Sequence, residues 1–292
     1  MIRLKFSIEL NYEIDQPGCD FIFSVHAAQT RYQTVVNELL LISQNLPHNL
    51  YTDTMTHTRF MRLKAFAGPL MVRYEATVDL DHYSATLEHI NEVPVANLPG
   101  SVLSYIYPSR YCQSDRLHRL AVKEFGHLRQ GYNRVQAIRD WVLNRVAFCS
   151  NSSTGNTTAV DTLVEEVGVC RDFAHLMIAL CRAVNIPARF ATGIDYGAAP
   201  ALGPTDFHAY VEVYLGDCWY IFDPSGVAIP MGFVRIGTGH DAADSAFATI
   251  FGGVRGAAPV IHIEAIPNAL GELIVPHHVP YAVSTDGQFE PN

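Results

Sequence analysis

Apolar and polar residues alternate in short runs over the first hundred residues of the chain. Runs at 21–25 and 70–78 are rich in β-branched and aromatic side chains, and turn-forming residues at 16–18 and 47–49 separate such runs. Strands with one buried face show this alternation, and regularly spaced turn signals are typical of antiparallel sandwiches and barrels. The pattern therefore predicts an all-β, sandwich-like domain over residues 1–105.

From about residue 106 the hydrophobic period lengthens from two residues to about 3.6, which is the period of a helix. The spacing predicts helices and then strands, at 115–125, 135–146, 159–167 and 171–184 and at 188–194, 207–214 and 218–222. Helices followed by an antiparallel sheet make an α+β domain. We therefore expect an α+β core over 106–270, followed by an extended tail over 271–292.

Composition narrows the classes of function. The 20 basic and 29 acidic residues give a formal charge of −9, which disfavours binding to a phosphate backbone. Charges interrupt the apolar residues near the N-terminus, so this segment does not resemble a signal peptide. No apolar run approaches the ~18 residues of a membrane helix. These features predict a cytoplasmic protein with no nucleic acid and no membrane among its partners.

Cysteine usage favours free thiols. The six cysteines, at positions 19, 112, 149, 170, 181 and 218, are sparse in a long chain, and no Cys-x-x-Cys pair occurs. Reduced thiols are the expected state in an intracellular protein, and the lack of such pairs argues against zinc knuckles and thioredoxin-type sites. No cofactor is expected.

Cys170 lies where a loop enters a predicted helix, directly after Gly168 and Val169. The free amides of a first helical turn and the helix dipole favour a thiolate at this place. The backbone amide of Cys170 could also donate a hydrogen bond to an oxyanion that forms on an attacked carbonyl. Taken alone, however, a small cysteine at a helix start is more often a buried packing residue.

His208 and Asp223 are predicted to face each other across a hairpin. His208 shares the polar face of its strand with Tyr210, and Asp223 ends the next strand after a Gly216-Asp217 turn. A loop with an even number of residues would put positions 208 and 223 on one face within about 5–8 Å, whereas an odd loop without a bulge would separate them. Taken alone, such a pair is more often a structural hydrogen bond than a catalytic one.

A nucleophile at a helix start, followed by a base and an orienting carboxylate on adjacent strands, is the arrangement that acyl transfer by a thiol needs. The same residues lie in motifs that resemble the bacterial transglutaminase-like family of proposed cysteine proteases. The motifs are GVCRDFAH (168–175), IPARF (186–190), DFHA (206–209), WYIFDPS (219–225) and RIGTGHDAAD (235–244). The β-rich first hundred residues, with YPSRY at 107–111 after them, resemble the N-terminal domain of that family.

The resemblance implies a papain-like, transglutaminase-like core preceded by that β domain. It also implies a catalytic triad of Cys170, His208 and Asp223, the residues that spacing selects. The expected enzyme is a thiol-dependent peptidase, amidase or transglutaminase that acts on a peptide or amide substrate without a cofactor or a metal. The family usually has an arginine where this chain has His240. Whether this chain keeps the contact that the arginine makes near the cleft is therefore an open question.

Other polar residues near these motifs are assigned lesser roles. Asp172 is expected to cap or charge the helix start, and His175, about 140° from the Cys170 face, is expected to be structural. Tyr210 and Trp219 are candidates to line the acyl cleft. The polar loop at 151–156 is a candidate source of a side-chain oxyanion donor.

Two other functions and the acyl acceptor stay open at this stage. The same fold without catalysis would make a binding or assembly protein, and Cys170, His175 and His208 could instead hold zinc. Water as the acceptor would give a cysteine peptidase or amidase, whereas an amine would give a transglutaminase, and the choice depends on the shape of the cleft. No motif encodes the natural substrate or the oligomeric state.

Overall fold

Seven strands lie within the first 85 residues of the chain, and the predicted alternation with one buried face is clear in the first of them. The structure is a computed structural model that describes residues 1–197 and 205–286. These strands are β1 (Ile2–Ile14), β2 (Cys19–Phe23), β3 (Gln33–Ile42), β4 (His48–Thr52), β5 (Arg59–Ala65), β6 (Gly68–Leu80) and β7 (Tyr83–Ala85). From Ile2 to Leu10 every second residue of β1 is buried and those between are more exposed.

Helices and a second set of strands follow. They are α1 (Ser114–Phe125), α2 (Tyr132–Arg145), β8 (Ala147–Phe148), α3 (Ala159–Glu165), β9 (Val167–Gly168), α4 (Cys170–Ala183), β10 (Ala188–Asp195), β11 (Phe207–Leu215), β12 (Cys218–Phe222) and β13 (Phe233–Gly239). An antiparallel sheet in the order β12-β11-β10-β13 lies on one side of α4, and the other helices pack around it. The predicted α+β class is confirmed. In the described parts of the chain, no helix has the length and apolar character that crossing a bilayer requires.

Late strands of the chain return to the N-terminal domain. These are β14 (Ala248–Phe251), β15 (Val254–Gly256) and β16 (Val260–Ile266). β14 pairs with β2, whereas β15 and β16 pair with β1, so they complete the two sheets of the sandwich. The sequence-based division placed residues 248–266 in the core. The structure differs here because alternation predicts a strand but not the sheet that it joins.

The tail is also more than an extended segment. Its strand β17 (Ala282–Ser284) pairs with β7 and packs beside β12. Beyond it, the buried Asp286 carboxylate lies 2.7 Å from Nη2 of Arg189 and 2.8 Å from Nη1 of Arg235. Glu212 adds a second carboxylate, 2.7 Å from Nε of Arg189. These buried ion pairs make the tail part of the core, a contact that no local pattern in the sequence reveals.

Candidate active site

Cys170 is the first residue of α4 and is half-buried. The amide of Val169 donates a hydrogen bond to the Asp172 carboxylate at 2.9 Å. Glycine is needed at position 168 because a Cβ atom there would lie 2.8 Å from Cβ of Asp172. The buried Asp172 carboxylate therefore caps the helix start, as the sequence predicts, and fixes the backbone next to the thiol.

The polar loop before α4 is tied to the same helical turn. The Ser153 hydroxyl donates to Oδ1 of Asp172 at 3.0 Å. The Arg171 guanidinium donates to Oγ of Ser153 and to the Thr154 carbonyl, each at 2.5 Å. Ser153 thus supports the helix start, and a role for the loop at 151–156 as an oxyanion donor stays a prediction.

His208 and Asp223 meet across the β11–β12 hairpin. The loop between the strands is Gly216-Asp217, with φ angles of 52° and 64°, as a tight type I′ turn requires. This even loop keeps both side chains on one face, and continuing the register puts position 223 diagonal to position 208. Nε2 of His208 lies 3.4 Å from Oδ1 of Asp223. The predicted pairing of these two side chains is therefore observed.

The Asp223 carboxylate is fixed by its own loop. Oδ1 accepts hydrogen bonds from the Ser225 amide at 2.9 Å and hydroxyl at 2.6 Å, and Oδ2 accepts one from the Ala228 amide at 2.9 Å. Burial alone would raise the pKa of Asp223, but its hydrogen bonds, with that from His208 the largest, lower the pKa to about 2. The group is therefore ionised at neutral pH and can orient the imidazole.

A second carboxylate, Asp195, lies at the other ring nitrogen. Gly193 of β10 pairs directly with His208, so Asp195, two residues later, is a diagonal neighbour from the opposite strand. Its Oδ2 lies 3.5 Å from Nδ1 of His208, and its Oδ1 accepts a hydrogen bond from the Tyr210 hydroxyl. Burial is the main reason why the pKa of Asp195 is raised, to about 6.

Sequence reasoning missed Asp195. The predicted strand ended at residue 194, and the connection from β10 to β11 is too long for a turn rule to set the register between them. Alternation along β10 was the available signal, because it puts residue 195 on the same face as residues 191 and 193.

The His208 ring is the electrostatic centre of the site. Burial alone would lower its pKa, but the charges of Asp195 and Cys170 raise the pKa, as do hydrogen bonds with Asp223 and Cys170. The net pKa of His208 lies well above its usual value. The ring therefore lies near enough to Cys170 for their charges to interact, while its Nε2 faces Asp223. A protonated imidazole beside a thiol favours the thiolate, the form that attacks carbonyl carbons.

Known proteins resemble this chain in sequence and in fold. Residues 120–224, which contain the three side chains, match the transglutaminase-like superfamily, and residues 2–101 match the bacterial transglutaminase N-terminal domain. A proposed cysteine protease from Cytophaga hutchinsonii, solved by crystallography, is 37% identical over 97% of each chain, with a TM-score of 0.88. The chain belongs to the transglutaminase-like superfamily.

Curated relatives of this transglutaminase-like chain match over shorter regions. The uncharacterized protein ML0607 of Mycobacterium leprae (strain TN) is 30% identical over 117 residues, which are 38% of this chain and 42% of that protein. The uncharacterized protein YebA of Bacillus subtilis (strain 168) is 26% identical over 188 residues, which are 56% of this chain and 25% of that protein. The match thus spans less than half the length of either relative.

His175 is packed inside the transglutaminase-like core. Its ring stacks on Tyr111 with centroids 5.0 Å apart, and its Nε2 accepts a hydrogen bond from the Ala242 amide at 3.2 Å. Burial is the main cause that holds the pKa of His175 well below its usual value. This neutral, stacked ring agrees with the structural role predicted for it. In the described parts of the chain, no cluster of three or more His, Cys, Asp or Glu side chains is arranged to hold a metal ion.

Tyr210 and Trp219 are the aromatic candidates for the cleft of this transglutaminase-like chain. Both Tyr210 and Trp219 are buried. The Tyr210 hydroxyl donates to Asp195, and the Arg189 guanidinium lies 4.1 Å from the ring centroid of Trp219. Packing therefore accounts for both side chains, and their role as cleft walls stays a prediction.

His240 stands where the resembled family usually has arginine. Its side chain is partly exposed, and its Nδ1 lies 2.7 Å from Oδ2 of Asp244. The ring stacks on Tyr105 with centroids 4.9 Å apart. An acidic and an aromatic neighbour therefore hold His240 at this place.

Proposed function

We propose that this chain catalyses thiol-dependent acyl transfer on peptide or amide bonds through Cys170, His208 and Asp223. The observation that supports the proposal is the His208 ring, whose Nε2 lies 3.4 Å from the Asp223 carboxylate and which interacts electrostatically with Cys170. The order of a thiol nucleophile, a base and an orienting carboxylate along the chain is the one that a thiol-dependent triad requires.

In the first half of the reaction, the Cys170 sulfur forms a bond to the carbonyl carbon of the substrate. The carbonyl oxygen becomes an oxyanion, for which the amide of Cys170 at the start of α4 is a candidate donor. The tetrahedral intermediate then collapses and the carbon–nitrogen bond breaks. His208 gives its proton to the departing amine, and the acyl group is left on the sulfur as a thioester.

In the second half, His208 takes a proton from the acyl acceptor as the acceptor attacks the thioester. The carbon–sulfur bond breaks, and Cys170 returns to the thiolate beside the protonated ring. Water as the acceptor makes the chain a cysteine peptidase or amidase, and a primary amine makes it a transglutaminase. The similarity to the proposed Cytophaga hutchinsonii cysteine protease favours hydrolysis.

The test is a profile of acyl substrates with and without an amine acceptor. Fluorogenic peptide amides report hydrolysis, and incorporation of a dansylated primary amine reports transamidation. We expect Cys170→Ala to lower turnover of any substrate found by at least about 10³-fold. The matched control is Cys149→Ser, an exposed cysteine outside the triad, which should keep full turnover.

Two outcomes would favour a binding or assembly protein instead. One is full activity in Cys170→Ala. The other is a peptide ligand that binds the wild-type chain and Cys170→Ala equally well and is never turned over. Either result would contradict the assignment of Cys170 as the nucleophile.

A further inference from the structure

We propose that Asp195 is a second positioning carboxylate, which holds His208 protonated beside Cys170. The proposal rests on the function proposed above, because it describes how pH regulates that same site. It gives Asp195 a role different from that of Asp223, which orients the ring from the opposite nitrogen.

The geometry of Asp195 favours this role. The residue is only 2% exposed, and one of its oxygens accepts the Tyr210 hydroxyl. Its other oxygen, Oδ2, lies 3.5 Å from Nδ1 of His208. Within the described parts of the chain, nothing donates a hydrogen bond to this Oδ2. A buried carboxylate oxygen without a donor is costly unless a cation lies beside it, and protonated His208 is such a cation.

The other ionisable groups around the ring are placed differently. Asp223 divides its two oxygens among hydrogen bonds from its own loop as well as the ring. Asp206, just before β11, has an exposed side chain, its pKa is raised mainly by desolvation, and the charge of His208 is a smaller influence on that pKa. Cys170, at the start of α4, interacts electrostatically with the ring, and the Tyr210 hydroxyl of β11 donates its hydrogen bond to Asp195. Among these described groups, Asp195 combines burial with a carboxylate oxygen that has no other donor.

The charge of Asp195 sets the direction of the pH effect. A carboxylate within about 4–6 Å raises the pKa of a neighbouring imidazole by roughly 1–3 pH units. His208 therefore keeps its proton to higher pH while Asp195 is ionised, and the charge pair is lost as the pH rises through the raised pKa of His208. On the acid side, Asp195 loses its charge as the pH falls below its own pKa of about 6.

The experiment is a titration of His208 by NMR. The chain is labelled with ¹³C-histidine in a Cys170→Ala background, which removes the charge of the thiol. The signal of His208 is identified among the 13 histidines by its loss in His208→Gln. We expect Asp195→Asn, added to this background, to lower the pKa of His208 by roughly 1–3 pH units, because asparagine keeps the shape and the Tyr210 contact but not the charge.

The matched control is Asp206→Asn in the same background. It removes an exposed carboxylate near the same ring and should lower the pKa of His208 by less than half as much. An unchanged pKa in Asp195→Asn, or equal changes in the two variants, would overturn the proposal. If Asp195→Asn does not fold, Asp195→Ser removes the same charge with a smaller side chain, and its titration decides the question in the same way.

This test separates the two proposals. If Cys170→Ala keeps its acyl-transfer activity, the proposed function fails, whatever the titration shows. If the pKa of His208 does not respond to Asp195 while Cys170→Ala is inactive, the role of Asp195 fails and the triad stands. For the active chain, the proposal also predicts that Asp195→Asn shifts the alkaline limb of the kcat profile to lower pH, which a purely structural loss would not do.

Discussion

Nε2 of His208 lies 3.4 Å from Oδ1 of Asp223, diagonally across the β11–β12 hairpin. Since Asp223 occupies one ring nitrogen and Asp195 lies 3.5 Å from the other, the imidazole is flanked by carboxylates from both neighbouring strands. Two buried anions on either side favour a ring that carries its proton at neutral pH. This positive charge, and the backbone that positions the ring, determine how the site should respond to reagents, to pH and to substitution.

Cys170 should be the first cysteine that an alkylating reagent modifies. Cys112 and Cys218 are buried, and burial is the main cause that raises their pKa values, to about 12 and about 11, so both remain thiols at pH 7. Mass spectrometry after brief treatment with limiting iodoacetamide should find label on Cys170 before Cys149, although Cys149 is more exposed. Equal labelling of these two cysteines would contradict an activated thiol.

The His208 ring should set the rate of that labelling. In His208→Gln the thiolate loses its counter-charge, so alkylation of Cys170 at pH 7 should slow by at least about tenfold. The wild-type rate should stay nearly level across neutral pH and change only as the ring loses its proton at higher pH, whereas the variant rate should climb steadily. His127→Gln, an exposed histidine, is the control and should label like the wild type. A variant with the wild-type rate at pH 7 would rule out the ion pair.

Local patterns predicted the placement of Cys170, His208 and Asp223, whereas contacts between distant segments could not be predicted from them. Cys170 could be assigned from a helix start, and the His208–Asp223 pair from alternation and a two-residue turn, because each signal lies within a few residues. Asp195 reaches His208 only through the register of β10 against β11. Asp286 reaches its arginines through the packing of the tail strand beside β12. Alternation gives the face on which Asp195 lies but not its partner, since register and packing between distant segments depend on the whole fold.

Asp223 should make the protein sensitive to acid. Its pKa in the folded chain is about 2, below the ordinary 3.8, so its ionised form stabilises the fold above about pH 4 and that contribution is lost as the pH falls towards 2. Asp223→Asn should cost about 2 kcal/mol at pH 7 and much less at pH 2.5, as measured by urea unfolding. Asp20→Asn changes an exposed carboxylate and should leave the curve unchanged. A loss in Asp223→Asn that is the same at both pH values would contradict this origin.

Gly193 should be intolerant of any side chain. A Cβ atom there would lie 2.0 Å from the carbonyl oxygen of Val234 and 2.4 Å from Cε2 of Phe233, so β13 would have to move away from β10. Gly193→Ala should lower the free energy of unfolding by roughly 2–4 kcal/mol and reduce labelling of Cys170, because Gly193 pairs directly with His208. Gly155→Ala is the matched control, since nothing lies within 4 Å of its Cβ position, and it should change stability by less than about 0.5 kcal/mol. Equal stability of the two variants would show that β10 and β13 can move apart at little cost in the free energy of unfolding.

The pairing of β1 has a consequence for how the chain folds during its synthesis. One edge of β1 pairs with β6, which follows within eighty residues, but the other edge pairs with β15 and β16, which begin only at Val254. That second edge therefore stays open on the ribosome while β10 to β13 are being made, and open edges with unpaired amides are where nascent chains aggregate. The domain that is translated first can close only after the strands of the core sheet have emerged.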